Sequence, residues 1–289
     1  MKLQKKFLWV LTALFSLSSL QKTMAEAFTQ TENDFIEELF DFRLSLRACA
    51  TPDESIEKIL LFEKQNEKVL EAFGEEAALT CRNMLATARY NCEYEKDMHS
   101  PKMEGILRPQ YEKITKYAEG KTASQMNPLF VLTSADLTNS MMQFLPRSSS
   151  ITLGLQEKKD YAQIVQENPK MSLALTLSGW WYYYAPAVGG GSVSKAGEFF
   201  KEAQQCALSA YDRYYANINL AQFYFEQKDK EKCRLYMEEA EKVLPNTRYT
   251  ALIKRINSLG YSLFDYNMNS RREKIDRKLL EGTSKNFSF

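Results

Sequence analysis

The fold is decided by Tyr214–Pro245, whose sequence is YYANINLAQFYFEQKDKEKCRLYMEEAEKVLP. A small residue stands in each half of this stretch, Ala221 in the first and Cys233 in the second. Two helices that cross closely need small residues at the crossing point and large residues beside it. The residues that complete this pattern are Leu220, Tyr224, Met237, Ala240 and Pro245. The stretch therefore predicts two antiparallel helices packed as a hairpin.

A second unit of the same kind precedes this one. Gly179 and Ala196 mark its crossing point, with Tyr182 on the first helix and Phe200 and Ala203 on the second. A third first helix follows, marked by Ile256, Leu259, Gly260 and Leu263. We therefore expect an all-α protein of stacked antiparallel helix hairpins, either a tetratricopeptide-like solenoid or a compact helical array. An unrelated helical bundle is the alternative, because any stack of antiparallel hairpins needs small crossing residues.

Residues 155–268 resemble the tetratricopeptide-repeat family. The aromatic and glycine-rich run WWYYYAPAVGGG at 180–191, which leads into KAGEFFKEA at 195–203, narrows this likeness. It is similar to the exported tetratricopeptide proteins associated with TRAP-type transporters, the T-component group, which share an aromatic-Pro-Gly-Gly connection between helices. The resemblance implies that the protein assists a periplasmic solute-binding protein by holding an apolar or amphipathic ligand. Residues 28–120 match only in being helical, and the lipid-attachment cysteine of some members is lacking.

The N-terminus has the pattern of an export signal. Three lysines within Met1–Lys6 precede the apolar run Phe7–Leu20, and Ala25-Glu26-Ala27 follows. A basic start, an apolar run and an A-x-A site are typical of a secretory signal peptide. The run is shorter than the ~20 residues of a membrane-spanning helix, although an uncleaved anchor is the alternative. We expect a signal peptide over 1–27, cleavage before Phe28, a periplasmic protein and no later transmembrane span.

The rest of the chain divides into three predicted parts. Residues 28–120 have the apolar spacing of helical hairpins, and Thr51-Pro52 marks the capped start of one of these helices. Residues 121–154, punctuated by Pro128 and Pro146, are expected to form short helices with connectors. Residues 155–289 are expected to hold the repeats and a C-terminal capping helix around Arg271–Leu280, because end repeats need a polar outer face.

The composition excludes several classes of function. Lys and Arg number 38 against 37 Asp and Glu, so overall charge gives no reason to expect nucleic-acid binding. The single histidine, His99, lies in a polar connector, which leaves few schemes for metal binding or acid–base catalysis. Gly189–Gly191 lacks the spacing of a phosphate-binding loop and is expected to be a plain turn. We expect no catalytic residues, no metal, no cofactor and no enzymatic activity.

Five cysteines in an exported protein leave at least one unpaired. Cys81 and Cys92 lie in Glu75–Glu95, which has the pattern of one continuous helix. Eleven residues of helix separate them by ~16 Å, which is too far for a disulfide. Pairing of Cys49 with either one stays open. Most cysteines are expected to be small buried apolar residues.

Aromatic residues near the crossing points suggest a ligand groove. If Gly179 marks the crossing, the residues that turn toward the concave face of the array are Trp180, Tyr183, Tyr184, Gln222, Phe225, Tyr261 and Phe264. Such a stripe suits an amphipathic ligand, because rings supply stacking area and a few polar groups orient the molecule. The alternative is that these rings are ordinary core. If the rings form a groove, we expect a non-catalytic periplasmic binding protein that binds a hydrophobic small molecule and another protein. If they are core, we expect a pure protein-interaction scaffold in envelope assembly.

Overall fold

A computed structural model describes residues 27–285, with side chains up to residue 281. Within that range the chain is all-α, has no strands, and packs sequential helix pairs antiparallel in a stacked array, which confirms the expected fold class. The helices are α1 Gln30–Ser45, α2 Pro52–Ala72, α3 Glu75–Lys96, α4 Lys102–Ala118, α5 Pro128–Met141, α6 Arg147–Glu167, α7 Ser172–Tyr184, α8 Val193–Cys206, α9 Ala210–Glu226, α10 Lys230–Val243, α11 Arg248–Ser258, α12 Leu263–Tyr266 and α13 Asn269–Lys285. Nearly all of the predicted signal peptide lies outside the described residues.

Small residues close the hairpins α7–α8 and α9–α10 as the sequence predicts. A Cβ atom at Gly179 would lie 2.5 Å from the ring of Phe200 on the facing helix, so only glycine allows this crossing. Ala196, Ala221 and Ala240 are fully buried. The fifth small residue of the pattern, Cys233, is only partly buried.

The connection between α7 and α8 is a tight turn, as expected. Gly190 adopts a φ of +94°, a region that side chains disfavour. The backbone N–H of Ser192 donates to the carbonyl oxygen of Tyr182 at 2.8 Å. The Ser192 hydroxyl then accepts from the N–H of Lys195 and caps α8.

The N-terminal helices form a second core. The Thr51 side chain accepts from the N–H of Glu54 at 3.2 Å and Pro52 opens α2, as the sequence predicts. The expected continuous helix over Glu75–Glu95 is present as α3. None of the five cysteines is in a disulfide. Cys49, Cys81 and Cys92 are buried, whereas Cys206 and Cys233 are partly exposed.

Residues 121–154 are more regular than expected. They contain α5, a fourteen-residue helix whose Phe130, Leu132 and Leu137 are almost fully buried. They also contain the start of α6, so the predicted boundary at 154/155 falls inside a helix. The two prolines that suggested connectors stand at helix starts, because proline is favoured where no backbone N–H is needed. Asn127 caps α5 by accepting from the N–H of Leu129.

Helices of the N-terminal part of the array contact helices of the C-terminal part. Helix α1 contacts α9. Glu95 at the end of α3 accepts two hydrogen bonds from Arg248 of α11, at 2.8 and 3.1 Å, and its carbonyl oxygen accepts from Arg272 of α13 at 3.2 Å. Ile275 on the predicted capping helix is fully buried. No helix within residues 27–285 is long and apolar enough to cross a membrane.

Candidate functional site

A cavity of about 1000 Å³ lies where the two ends of the array meet. Its wall is built by residues of α1, α3, α5, α6, α7, α9, α11, α12 and α13. This volume is at the upper end of the range that small-molecule sites occupy, ~300–1000 Å³. The cavity is therefore large enough for a ligand with an extended apolar body.

Three aromatic side chains of α7 form one part of the wall. Trp180 donates from Nε1 to Oδ1 of Asn219 at 3.1 Å, and Trp181 donates from Nε1 to the carbonyl oxygen of Gly154 at 2.7 Å. The hydroxyl of Tyr184 donates to the carbonyl oxygen of Phe264 at 3.3 Å. Because the polar atom of each ring is already bonded to protein, this part of the wall offers apolar ring surface.

Arginine and tyrosine side chains form a basic part of the wall. Arg47 donates from Nε to the hydroxyl of Tyr215 at 2.7 Å, and its guanidinium lies 4.1 Å from the ring centre of Tyr249. Arg43 lies 5.6 Å from the ring centre of Tyr211. Burial raises the pKa of Tyr211 and Tyr249, so both tyrosines stay neutral at physiological pH. Within the described residues Arg47 has no carboxylate within 4 Å, and its partners are aromatic.

An acidic part of the wall comes from α5 and α6. Asp136 lies 3.8 Å from Arg43, and burial raises the pKa of this aspartate although the arginine acts in the opposite direction. Glu157 is 5% exposed, and neither carboxylate oxygen has a hydrogen-bond partner among the described residues. Burial raises the pKa of Glu157 to about 8. The Asn139 side-chain amide lowers this pKa, whereas the negative charges of Asp160 and Asp136 raise it further.

A second polar group in the wall is also unsatisfied. Nδ2 of Asn219 has no hydrogen-bond partner among the described residues, and the residue is 2% exposed. Buried polar groups in folded proteins are nearly always hydrogen-bonded, and each exception calls for an explanation. Glu157 and Asn219 are thus two cavity-lining residues with buried polar atoms that lack a hydrogen-bond partner among the described residues.

Of the seven predicted groove residues, two line the cavity. These are Trp180 and Tyr184. Tyr183 and Phe264 pack against each other with ring centres 4.4 Å apart, and Phe264 is almost fully buried. These two rings hold α7 to α12 rather than line the space beside it.

The other three predicted residues lie elsewhere on the repeats. Gln222 is fully buried, and its amide exchanges hydrogen bonds with Asn257 and accepts from the N–H of Leu263. The hydroxyl of Tyr261 accepts from Lys278 of α13 at 2.8 Å. Phe225 is half-buried on α9 and does not line the cavity. The structure therefore does not bring the seven together on one surface.

The charged residues of the wall carry little signal in the sequence. Glu157 stands in the charged run Gln156–Asp160 and looks like a solvated residue there. Its spacing to Tyr161 and Ile164, four and seven residues on, places it on the buried face of α6 and is the one signal that was available. Arg43 on α1 and Arg47 in the short turn after α1 reach the cavity because α1 packs against α9, a contact that no local pattern predicts.

The histidine and the acidic residues form no metal site in the part of the chain that the structure describes. His99 lies on the surface, with Nε2 3.0 Å from the carboxylate of Glu273. No group of three or more His, Cys, Asp or Glu among residues 27–285 is placed to hold a metal ion.

Comparison with known proteins adds no assignment. No protein-family model matches the chain, and no curated protein matches it. What is established is an all-helical protein of about thirteen packed helices with a cavity between the ends of the array. A proposal about function therefore has to be argued from the residues that line the cavity.

Proposed function

We propose that this protein is a non-catalytic binding protein that holds an amphipathic small molecule in its cavity. The observation that carries this proposal is the wall itself. Ring faces from Trp180, Trp181 and Tyr184 line the same cavity as two ionisable groups without an ion-pair partner, Arg47 and Glu157. A mostly apolar pocket with a few placed polar groups is the usual composition of a ligand site.

The apolar wall supplies most of the affinity in this proposal. Removing each CH₂ group of a ligand from water contributes about 0.8 kcal/mol, so a ten-carbon chain gains roughly 8 kcal/mol before the cost of association. That cost is several kcal/mol at least, and micromolar binding is the expected outcome. The charged groups then orient the ligand.

The proposal extends to the compartment and the partner. The N-terminal pattern supports export to the periplasm, and the likeness of residues 155–268 to tetratricopeptide proteins of TRAP-type transporters supports a solute-binding protein as partner. Capture of such a solute-binding protein on the immobilised protein is the expected result. Recovery of outer-membrane assembly proteins alone would contradict the transport role.

A scaffold without a ligand is the second candidate. It is favoured by the packing of Tyr183 and Phe264 as core and by the structural hydrogen bonds of Gln222. In that case the stack serves only to hold other proteins, and the cavity is incidental.

Native mass spectrometry separates the two candidates. We expect the purified protein to retain a small molecule that is released on denaturation, or to bind added 1-decanol with one molecule per chain. Trp181→Ala removes a ring of the wall and should weaken that binding about tenfold, since a buried aromatic contributes more than 1.4 kcal/mol. The matched control is Tyr182→Ala, because Tyr182 is the next residue of α7 and does not line the cavity. Absence of any adduct, or equal loss in both variants, would favour the scaffold.

A further inference from the structure

The chemistry of the ligand is indicated by Glu157. This residue lies on the inner face of α6 and lines the cavity, and only 5% of its surface is exposed. Neither carboxylate oxygen makes a hydrogen bond of normal geometry within the described residues, and the only polar side chain close enough to lower the pKa of this carboxyl group is the uncharged amide of Asn139. Leaving a buried carboxyl group unpaired costs stability, and protein interiors seldom retain such a group without a role.

The surroundings of Glu157 favour a positive charge. Asp160 and Tyr161 flank it on α6, and Asp136 and Asn139 face it from α5. No lysine or arginine among the described residues lies within 4 Å of its oxygens. The nearest lysine in sequence, Lys158, turns away, with Nζ 4.5 Å from the ring centre of Trp181 and 3.4 Å from the carbonyl oxygen of Gly189.

The aromatic rings of α7 reach the same part of α6. Trp181 donates to the carbonyl oxygen of Gly154, which is three residues before Glu157 on that helix. A cation near an indole face is attracted by the ring, by about 0.5–2 kcal/mol depending on desolvation. A carboxylate that lines the same cavity as two indole rings is therefore suited to a ligand with a charged head and an apolar body.

We propose that the cavity binds an amphipathic organic ammonium, with its protonated amine at Glu157 and its apolar body along Trp180 and Trp181. This inference rests on the proposed binding function and names the ligand class. An ammonium group brings three donors and a charge, so it satisfies both oxygens and restores the ionised form. A hydroxyl head brings one donor and leaves the acidic wall uncompensated. A carboxylate head at the same position would meet Asp136 and Glu157 with like charge, and a carboxylate that instead chose Arg47 would gain nothing from Glu157.

The test compares three probes that share one apolar body. Decylamine, 1-decanol and decanoate are titrated into the protein by calorimetry at pH 8, where decylamine is protonated. We expect decylamine to bind about tenfold or more tightly than 1-decanol, and decanoate to bind weakest. Glu157→Gln keeps the size of the side chain and should bring decylamine to within about threefold of 1-decanol. Glu167→Gln removes the same charge from an exposed site on the same helix and should leave the preference unchanged.

A second measurement uses the unmodified protein and does not depend on a variant. Because burial raises the pKa of Glu157 to about 8, binding of an ammonium must displace a proton from this carboxyl group at lower pH. The affinity for decylamine should then fall about tenfold per pH unit from pH 7 to pH 6, while that for 1-decanol stays constant. Asp136, Asp160 and Tyr161 also face the site and could contribute to the pH dependence. Any pH dependence of decylamine affinity that remains in Glu157→Gln comes from these groups, because the variant removes only the Glu157 carboxyl group.

The outcomes distinguish this inference from the proposed function. Equal affinity for decylamine and 1-decanol, tighter binding of decanoate, or an amine preference that survives Glu157→Gln would overturn the ammonium assignment while a binding function stands. Failure of all three probes to bind would contradict both.

Discussion

The hairpin α7–α8 and the cavity beside it fill the space between helices in opposite ways. In the hairpin, Gly179 lets the ring of Phe200 approach so closely that no side-chain atom fits between them. In the cavity wall, neither oxygen of the buried Glu157 carboxyl group has a hydrogen bond of normal geometry, although the Asn139 side chain lies nearby. The hairpin is closely packed, whereas the unsatisfied carboxyl group in the cavity wall lowers the stability of the folded protein. Local violations of packing and hydrogen-bonding rules are expected at functional sites, which is why we propose the cavity rather than the hairpin as the functional site.

The largest expected effect is on the packed side of this comparison. Phe200→Ala removes a fully buried ring between Gly179 and Phe264 and should lower the free energy of unfolding by about 3–5 kcal/mol, measured by urea denaturation. Phe199→Ala is the control, because the neighbouring ring is only half-buried, and it should cost about 1 kcal/mol. Equal losses would mean that the hairpin is not packed around Phe200.

The next largest effect is expected at the cavity wall, where a substitution should raise the free energy of unfolding instead of lowering it. Glu157→Gln should stabilise the protein without ligand by about 2–4 kcal/mol at pH 9. The ordinary pKa of glutamate is 4.5, and burial raises that of Glu157 to about 8. Below pH 4.5 the carboxyl is protonated in both states and the variant has no advantage. Between pH 4.5 and pH 8 the carboxyl group ionises in the unfolded chain but stays protonated in the folded protein, which destabilises the folded wild type. The stability advantage of Glu157→Gln therefore grows as pH rises and is constant above pH 8. A pH-independent difference in urea unfolding would contradict a buried, unpaired carboxyl group.

A smaller effect tests the crossing point itself. Gly179→Ala should cost about 1–3 kcal/mol, because the new methyl group would overlap the ring of Phe200. Gly105→Ala on α4 is the matched control. No atom lies within 4 Å of a Cβ built there, so this change should stabilise the helix by about 0.5–1 kcal/mol. Thermal unfolding that shows the same sign for both would mean that the close approach is absent.

The smallest effect concerns the loop that joins the two helices. Ser192→Ala removes the cap of α8 and should cost about 1 kcal/mol, since one N–H at the helix start loses its acceptor. Ser194→Ala, at an exposed position inside the first turn, should change stability by less than about 0.5 kcal/mol. A cost in the control as large as that in Ser192→Ala would show that the cap is elsewhere.

The hairpins were predictable because their signal is local. Gly179, Ala221 and Ala240 repeat at spacings that a helix pair requires, and the structure places them in helix contacts. The cap at Thr51 and the single helix Glu75–Lys96 follow from residues next to each other in sequence. Such features need no knowledge of the rest of the chain.

The cavity was not predictable because it depends on how distant helices meet. Trp180 and Tyr184 were identified from their offset to Gly179, but Tyr183 and Phe264, chosen by the same rule, became core when α12 packed across α7. Arg47 reaches the site from the short helical turn Leu46–Ala48 that follows α1, 168 residues before its partner Tyr215. Pro128 and Pro146 suggested interruptions, whereas each stands at the start of a helix that builds the wall.

A crystal structure of the protein soaked with decylamine tests the central claim most directly. We expect one elongated molecule in the cavity, with its chain against Trp180 and Trp181 and its nitrogen within hydrogen-bonding distance of the Glu157 carboxylate. A cavity that α5 and α6 close completely, or one that holds only ordered water at saturating decylamine, would contradict it.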